Sequence, residues 1–302
     1  MPAAANSVTP PGWAPCLARV ASLVVAWFGA ALMLGSAAHA STPAPRAGDP
    51  GMVRLASGAW VAADIGQILQ RGELVVAMLA SESPPFFYRV GDQWVGTDVR
   101  MAQQIAKELK VSLRIDRSAR SFNEVVDVVA RGDADLGVSK LSRTLARAQS
   151  VMFSDPYLSL KHALIFNRLE LAKISREKPL PSVVRRFTGS LGVIGQSSFA
   201  EFATRNFPNA QITPYTHWDA LIAAVKKGEV VGGYRDEFEI RRILKLDPQL
   251  ALTLRTVTLK DRNDTLGIAV GVRSPTLLAF VNQFLALQAN KLSVESVLAE
   301  LR

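Results

Sequence analysis

Two stretches of this chain lie on one another without a gap. Phe122–Val138 (FNEVVDVVARGDADLGV) and Trp218–Tyr234 (WDALIAAVKKGEVVGGY) both read aromatic residue, amphipathic helix, basic residue, glycine, acid, short apolar strand. A helix that stops on glycine and runs into a strand is half of a strand–helix–strand unit. A copy in each half of the chain predicts two similar α/β lobes. The competing reading is that two ordinary helix–strand steps share only the generic grammar of such units. Neighbouring segments extend the pattern. Leu74–Met78 is a short β-rich run after Arg71-Gly72 and reads as a buried strand. Thr97 and Asp98 read as caps of a helix whose Val99, Ala102, Ile105, Ala106 and Leu109 recur at helical spacing. Val111–Ile115 alternates as a strand does, and Asp135–Val138 is the next strand. The expected class is α/β, with two mainly parallel sheets flanked by helices.

The first 40 residues stand apart. Arg19 is their single charge, Val20–Leu34 is almost wholly apolar, and Ala38-His39-Ala40 gives a small-x-small exit. This is the pattern of a signal peptide cleaved after Ala40. The apolar run is short for a bilayer span of about 20 residues, although an uncleaved anchor is the other reading. Cys16 precedes the apolar run, so it is not placed as a lipid-anchored first residue. Cleavage of the 302-residue chain would leave 262 residues without cysteine and lower the formal charge from +9 to +8. A lone cysteine excludes a disulfide framework and a Cys-rich zinc module. His39, His162 and His217 lack metal-ligand spacing, so neither a metal nor another cofactor is expected. A sequence pI near 9.9 admits nucleic acid as a partner. Arg117, Lys161, Arg185, Arg205 and Lys245, however, are scattered and not clustered with aromatics, and an exported destination argues against it. Residues 41–61, rich in Pro, Ala, Gly and Ser, read as a flexible leader.

In open α/β sheets, ligands sit beyond the carboxyl ends of the strands. The segments just past the paired strands are Ser139-Lys140-Leu141-Ser142 and Arg235-Asp236. Facing lobes would bring them to one cleft, a wall of hydroxyl and basic groups against a carboxylate. After the strand Leu191–Ile194, Ser197 and Ser198 open a helix. They can act as an anion seat through free amides and the helix dipole, or as a plain cap.

Several motifs in order resemble one family: Leu69–Leu74, Pro84-Pro85-Phe86, Trp94–Asp98, Gly132–Asp135, Ser142-Arg-Thr144-Leu-Ala-Arg147, Phe153-Ser154-Asp155-Pro156-Tyr157 and Thr265–Val270. Together they resemble the bacterial extracellular solute-binding proteins of family 3, which deliver amino acids to ABC importers. The resemblance covers about residues 65–272. It implies a type II periplasmic-binding fold, with lobe one at 62–160 plus 262–302, lobe two at 167–256 and hinges at about 161–166 and 257–261. It implies a periplasmic monomer that captures a small amino acid or related carboxylate, of polar or acidic type, and meets a membrane permease.

The resemblance also assigns roles. Arg147 would grip the ligand carboxylate, with the Ser142 amide as second donor; the alternative is a surface arginine. Ser198, beside Ser197, would close on the same carboxylate. Asp236 would bind the ligand ammonium, unless Arg235 is its structural partner. Ser139 and Lys140 match positions that are often small hydroxyl residues. A carbonyl near Lys140 would accept from the ammonium, while the lysine side chain reaches an acidic ligand group or solvent. Phe122 would be an aromatic wall. Glu82-Ser83 replaces the aromatic residue usual before Pro-Pro-Phe, so the side-chain pocket is altered. No catalytic residue is expected. Two alternatives share the fold: a partner-specific accessory or sensor protein, and a dehydratase of cyclic dienyl acids using acids such as Glu82 and Asp236.

Overall fold

A computed structural model describes residues 51–301, so the expected signal segment and residues 41–50 of the leader lie outside the described residues. The chain begins with β1 (Met52–Arg54), β2 (Trp60–Ala62), α1 (Ala63–Arg71) and β3 (Glu73–Ala77). A small hairpin, β4 (Tyr88–Val90) and β5 (Gln93–Val95), leads to α2 (Thr97–Glu108), β6 (Ser112–Asp116), α3 (Phe122–Arg131), β7 (Leu136–Gly137) and β8 (Val151–Phe153). The long β9 (Leu158–Asn167) opens the second lobe. It is followed by α4 (Arg168–Ser175), α5 (Leu180–Arg185), β10 (Ser190–Ile194), α6 (Ser198–Asn206) and β11 (Gln211–Tyr215). Next come α7 (Trp218–Lys227), β12 (Gly232–Asp236), α8 (Glu237–Leu246) and α9 (Leu250–Thr253). Then β13 (Leu254–Leu266) returns the chain to β14 (Ala269–Gly271), α10 (Pro275–Leu287) and α11 (Val294–Ala299).

Two five-stranded sheets result, ordered β6-β3-β7-β14-β8 and β11-β10-β12-β9-β13. β3 is parallel to β6 and β7, and β10 is parallel to β11 and β12; the other pairings in both sheets are antiparallel. The sheets are therefore mixed, a correction to the mainly parallel expectation. Parallel neighbours need a helical crossover, which the repeated units supply. The strands that carry the chain between lobes have no such crossover and pair antiparallel. Residues 162–166 of the expected first hinge are hydrogen-bonded strand residues between β12 and β13, and 257–259 of the expected second lie on β13. Along the β9–β13 pair Leu158, Leu160 and Leu266 are buried in the first lobe's apolar cluster and Ala163, Ile165 and Leu254 in the second's, and the register shifts between Leu259 and Asn263.

Residues 52–62, expected within the flexible leader, form an antiparallel ribbon with Met52 opposite Ala62. It seats on α1 at Gly66, where an added Cβ would lie 2.1 Å from Val53 Cγ2. The valines Val53 and Val61 give this stretch an apolar face to set against α1.

The repeated units fold alike because their punctuation is alike. α3 ends at Gly132 (φ 84°) and α7 at Gly228 (φ 77°), both left-handed, and both glycine amides return to carbonyls of the last helical turn. Between the caps, Val125, Val126, Val128 and Val129 of α3 and Leu221, Ile222, Ala224 and Val225 of α7 are buried against their sheets. The α2 apolar stripe is buried as its spacing predicts. Asp98, however, is no cap. It is wholly buried, accepting from the Lys140 amide at 2.6 Å and the Tyr157 hydroxyl at 3.2 Å. Burial pushes its carboxyl up to about 7, against the hydrogen bonds from Lys140 and Tyr157. The Phe153–Tyr157 stretch thus has a local structural purpose: Tyr157 binds Asp98, and Ser154 Oγ accepts from the Ile268 amide at 2.9 Å.

The lobes also share core. Phe238 on α8 is fully buried in the first lobe's apolar cluster, edge-on to Phe86 with ring centroids 5.1 Å apart.

Candidate functional site

The ends of β7 and β12 meet. Lys140 (φ 49°) leaves the first sheet in a left-handed turn, its amide anchored by Asp98. Its ammonium crosses to the second lobe and donates to Asp236 Oδ2 at 3.1 Å, Oδ1 at 3.2 Å and Glu239 Oε1 at 2.7 Å. All three side chains are 2–3% exposed. The ammonium also lies 5.0 Å from the Phe86 ring centroid and 4.9 Å from that of Phe238. Asp236 stands at the N-terminus of α8, where Oδ1 accepts from the Glu239 amide at 3.1 Å. Burial alone would raise the Glu239 carboxyl; Lys140 and Arg242 instead hold it well below the usual range. Of the two destinations expected for the Lys140 side chain, a ligand acid or solvent, it takes neither.

Arg147 opens a short 3-10 turn, Arg147–Gln149, and is buried, so the surface-arginine reading is overturned. It donates through Nη1 to the Ser142 carbonyl at 3.0 Å, and through Nη2 and Nε to Asn123 Oδ1 at 2.9 and 3.2 Å. Burial lowers its guanidinium to about 10, opposed by Asp264 and Glu201. Ser142 Oγ meets Ser198 Oγ across the cleft at 2.7 Å and donates to Asp264 Oδ2 at 2.8 Å. Asp264 Oδ1 is buried without a partner, and burial pushes that carboxyl up to about 7. Arg147, Ser142, Ser198, Asp236, Lys140 and Phe122 border a cavity of about 10 Å³, room for about one water.

The remaining predicted residues divide. Ser197 caps α6 by position only, because its hydroxyl donates back to the Ile194 carbonyl at 2.6 Å. Ser139 is buried with its hydroxyl accepting from the Leu79 amide at 3.0 Å, a tie within the first lobe. Phe122, expected as an aromatic wall, lies with its ring centroid 5.5 Å from the Arg235 guanidinium. The pairing of Arg235 with Asp236 is a 3.5 Å contact, longer than either Lys140 bond. Sequence reasoning did not identify Asn123, Glu239, Asp264 or Trp218 as site residues. Trp218 was accessible through the repeat, which aligns it with Phe122. The other three carry no local signal, since only the chain's return paths bring them to the cleft.

Beside this junction lies a second interlobe cavity of about 410 Å³, bordered by Leu79, Ser81–Pro84 and Arg120–Phe122 on one side and Trp218, Arg235, Glu239 and Arg242 on the other. Among the described residues, no cluster of His, Cys, Asp and Glu is arranged to hold a metal ion, and no helix is long and apolar enough to cross a membrane.

Over 86 residues the chain is 31% identical to the arginine-binding extracellular protein ArtP of Bacillus subtilis (strain 168), which is 28% of this chain and 33% of that protein. Over 100 residues it is 30% identical to a membrane-bound lytic murein transglycosylase F of Saccharophagus degradans, 33% of this chain and 19% of that enzyme. The match thus spans a third or less of these two relatives. The fold is similar to an amino acid ABC transporter substrate-binding protein of Streptococcus pneumoniae Canada MDR_19A, solved bound to L-arginine. The TM-score is 0.63 at 26% identity, over 78% of this chain and 98% of that one. This is the two-lobed type II periplasmic-binding architecture. Residues 74–291 match the bacterial extracellular solute-binding proteins, family 3, and with well over half its length so matched the chain belongs to that family.

Proposed function

We propose that the protein is an exported solute-binding component of the amino-acid ABC-importer type, capturing a small carboxylate between its lobes. The observation that carries this reading is the buried Arg147 guanidinium at the lobe junction, one turn from the Ser142–Ser198 contact that bridges the cleft. A planar fork of donors matches a carboxylate in two parallel bonds. Closure of one lobe on the other follows from contacts that exist only in the closed state. Binding without turnover is favoured because Asp236 and Glu239 are ion-paired to Lys140 and so are poorly placed to exchange protons. The expected preference for acidic amino acids finds no support among the amino-acid-binding relatives reported above, for which arginine is the amino acid named.

A second reading, an accessory or sensor protein of the same fold, is favoured by one observation: the protein's own side chains fill the cleft at Lys140. Mass spectrometry of small molecules carried through purification, then calorimetry on the emptied, refolded protein, separates the two. Arg147→Ala is expected to weaken binding of the recovered solute by about a hundredfold, the loss of two charge-assisted bonds. Wild-type affinity in that variant refutes Arg147 as the carboxylate donor. Failure of any small molecule to bind favours the accessory reading.

A further inference from the structure

The cations at the lobe junction are not equally partnered. Lys140, Arg235 and Arg242 face two carboxylates, Asp236 and Glu239. Lys140 engages both acids, and Arg242 Nε donates to Glu239 Oε2 at 2.9 Å. Arg235 is left over. It is 6% exposed and held between aromatic rings of both lobes, its guanidinium carbon 5.5 Å from the Phe122 centroid and 5.6 Å from that of Trp218. Its side chain donates no hydrogen bond to any described residue; Nε is buried without a hydrogen-bond partner and only approaches Asp236 at 3.5 Å. Trp218 Nε1, on the same wall, is a second buried donor without a partner. A buried cation whose donors make no hydrogen bond is costly unless an acceptor meets them. Both residues border the 410 Å³ cavity, a volume within the range of small-molecule sites. Glu82, Asp219 and Arg120 stand at its exposed rim, where water screens them.

The neighbouring seat is of the opposite kind. Asp236, the acid expected to receive a ligand ammonium, already holds the Lys140 ammonium. Asn123 Oδ1 takes two Arg147 donors in the manner of a carboxylate oxygen. The protein's own side chains thus occupy both ends of the contact an α-amino acid would make, one with an ammonium and the other with a neutral amide oxygen. An incoming α-ammonium would compete with a like charge for the same two acids.

Resting on the solute-binding reading above, we infer that the solute is a small carboxylic acid lacking an α-ammonium group, received by Arg235 in the cavity beside the seat that Lys140 fills. The guanidinium offers a bidentate edge, and Phe122 and Trp218 keep its plane from turning away.

The test is calorimetry on the whole exported chain with matched pairs: glutarate against glutamate, and 3-phenylpropanoate against phenylalanine. In at least one pair the acid is expected to bind about tenfold or more tightly than its amino acid. Arg235→Gln should lower that affinity by about tenfold or more while the circular dichroism spectrum is unchanged. Lys140→Ser should let the amino acid of the pair bind, because the ammonium seat is then open. Should Lys140→Ser not fold, the matched pairs and Arg235→Gln still decide. If amino acids bind wild type at least as well as their acids, and Arg147→Ala but not Arg235→Gln abolishes that binding, this inference falls while the solute-binding reading stands. If no compound of either class binds wild type or either variant, both fall. Inorganic phosphate serves as the control: binding of phosphate with no response to either acid overturns the carboxylate assignment.

Discussion

The two repeated units share a scaffold and differ in their last two residues. In the register that aligns Phe122 with Trp218, Gly132 falls on Gly228, Ser139 on Arg235 and Lys140 on Asp236. The helices, glycine caps and sheet contacts are alike. The ends carry opposite charge and are bonded to each other across the cleft. Equivalent positions in facing lobes come close because the lobes pack through the same ends of their sheets. A like-charged pair there would push the lobes apart, whereas Lys140 and Asp236 hold them together. What stayed the same between the units builds the fold, and what diverged builds the site. The caps diverge too. Ser121 accepts from the Glu124 amide at 3.1 Å, whereas its counterpart His217 makes no side-chain cap.

The largest effect is expected where the two units touch. Lys140→Ser leaves Asp236 and Glu239 buried together without their shared cation, and is expected to cost about 3–5 kcal/mol in urea unfolding. A loss below about 1 kcal/mol would mean that the pair is solvated in solution, an outcome that the packing of Phe86 and Phe238 around the ammonium argues against.

Next is the acid beside the junction. The Asp264 carboxyl stands at about 7, above its ordinary 3.8, with burial the main cause and Ser142, which favours the ionised form, opposing it. A raised carboxyl binds its proton more tightly in the folded state. Its contribution is therefore complete below about pH 3.8 and lost as pH rises through about 7. Asp264→Asn has no charge to gain. Its stability relative to wild type should rise between about pH 5 and pH 8, by up to about 1.4 kcal/mol per pH unit. Parallel melting curves for the two proteins across that range would show that Asp264 is ionised throughout.

The smallest effect compares the glycine caps. Gly132→Ala and Gly228→Ala should each lose about 1–2 kcal/mol from left-handed backbone. The second should lose slightly more, because its Cβ would meet Glu170 at 3.2 Å whereas the first has nothing nearer than 3.7 Å. Equal melting temperatures for the two variants would show that Glu170 moves aside freely.

Much of this was legible locally. The α2 stripe, both glycine-ended helices and the strands that follow them depend on periodicity and punctuation within about 20 residues, and those patterns dictate backbone and burial directly. The cleft positions of Lys140 and Asp236 followed from the repeat, and the Arg147 and Ser198 positions from the resemblance. Two readings failed for opposite reasons. Asp98 looks like a helix cap because acids are favoured in a first turn, yet β7 and β9 bring the Lys140 amide and Tyr157 hydroxyl to it. Residues 52–62 look unstructured because the Pro-, Ala-, Gly- and Ser-rich stretch that holds them has no sustained period, yet Val53 and Val61 find a seat where Gly66 leaves room for them.

The sequence by itself therefore determined the elements, the doubled α/β plan and the family, because each is written in spacing that the backbone enforces over short range. Tertiary structure alone decided which charges meet. Lys140 and Asp236 are 96 positions apart. Whether a lysine near a cleft serves a ligand, water or an acid of the facing lobe depends on the desolvation and distance that lobe packing sets. That packing chose the acids, and the cation it left without a hydrogen bond is Arg235.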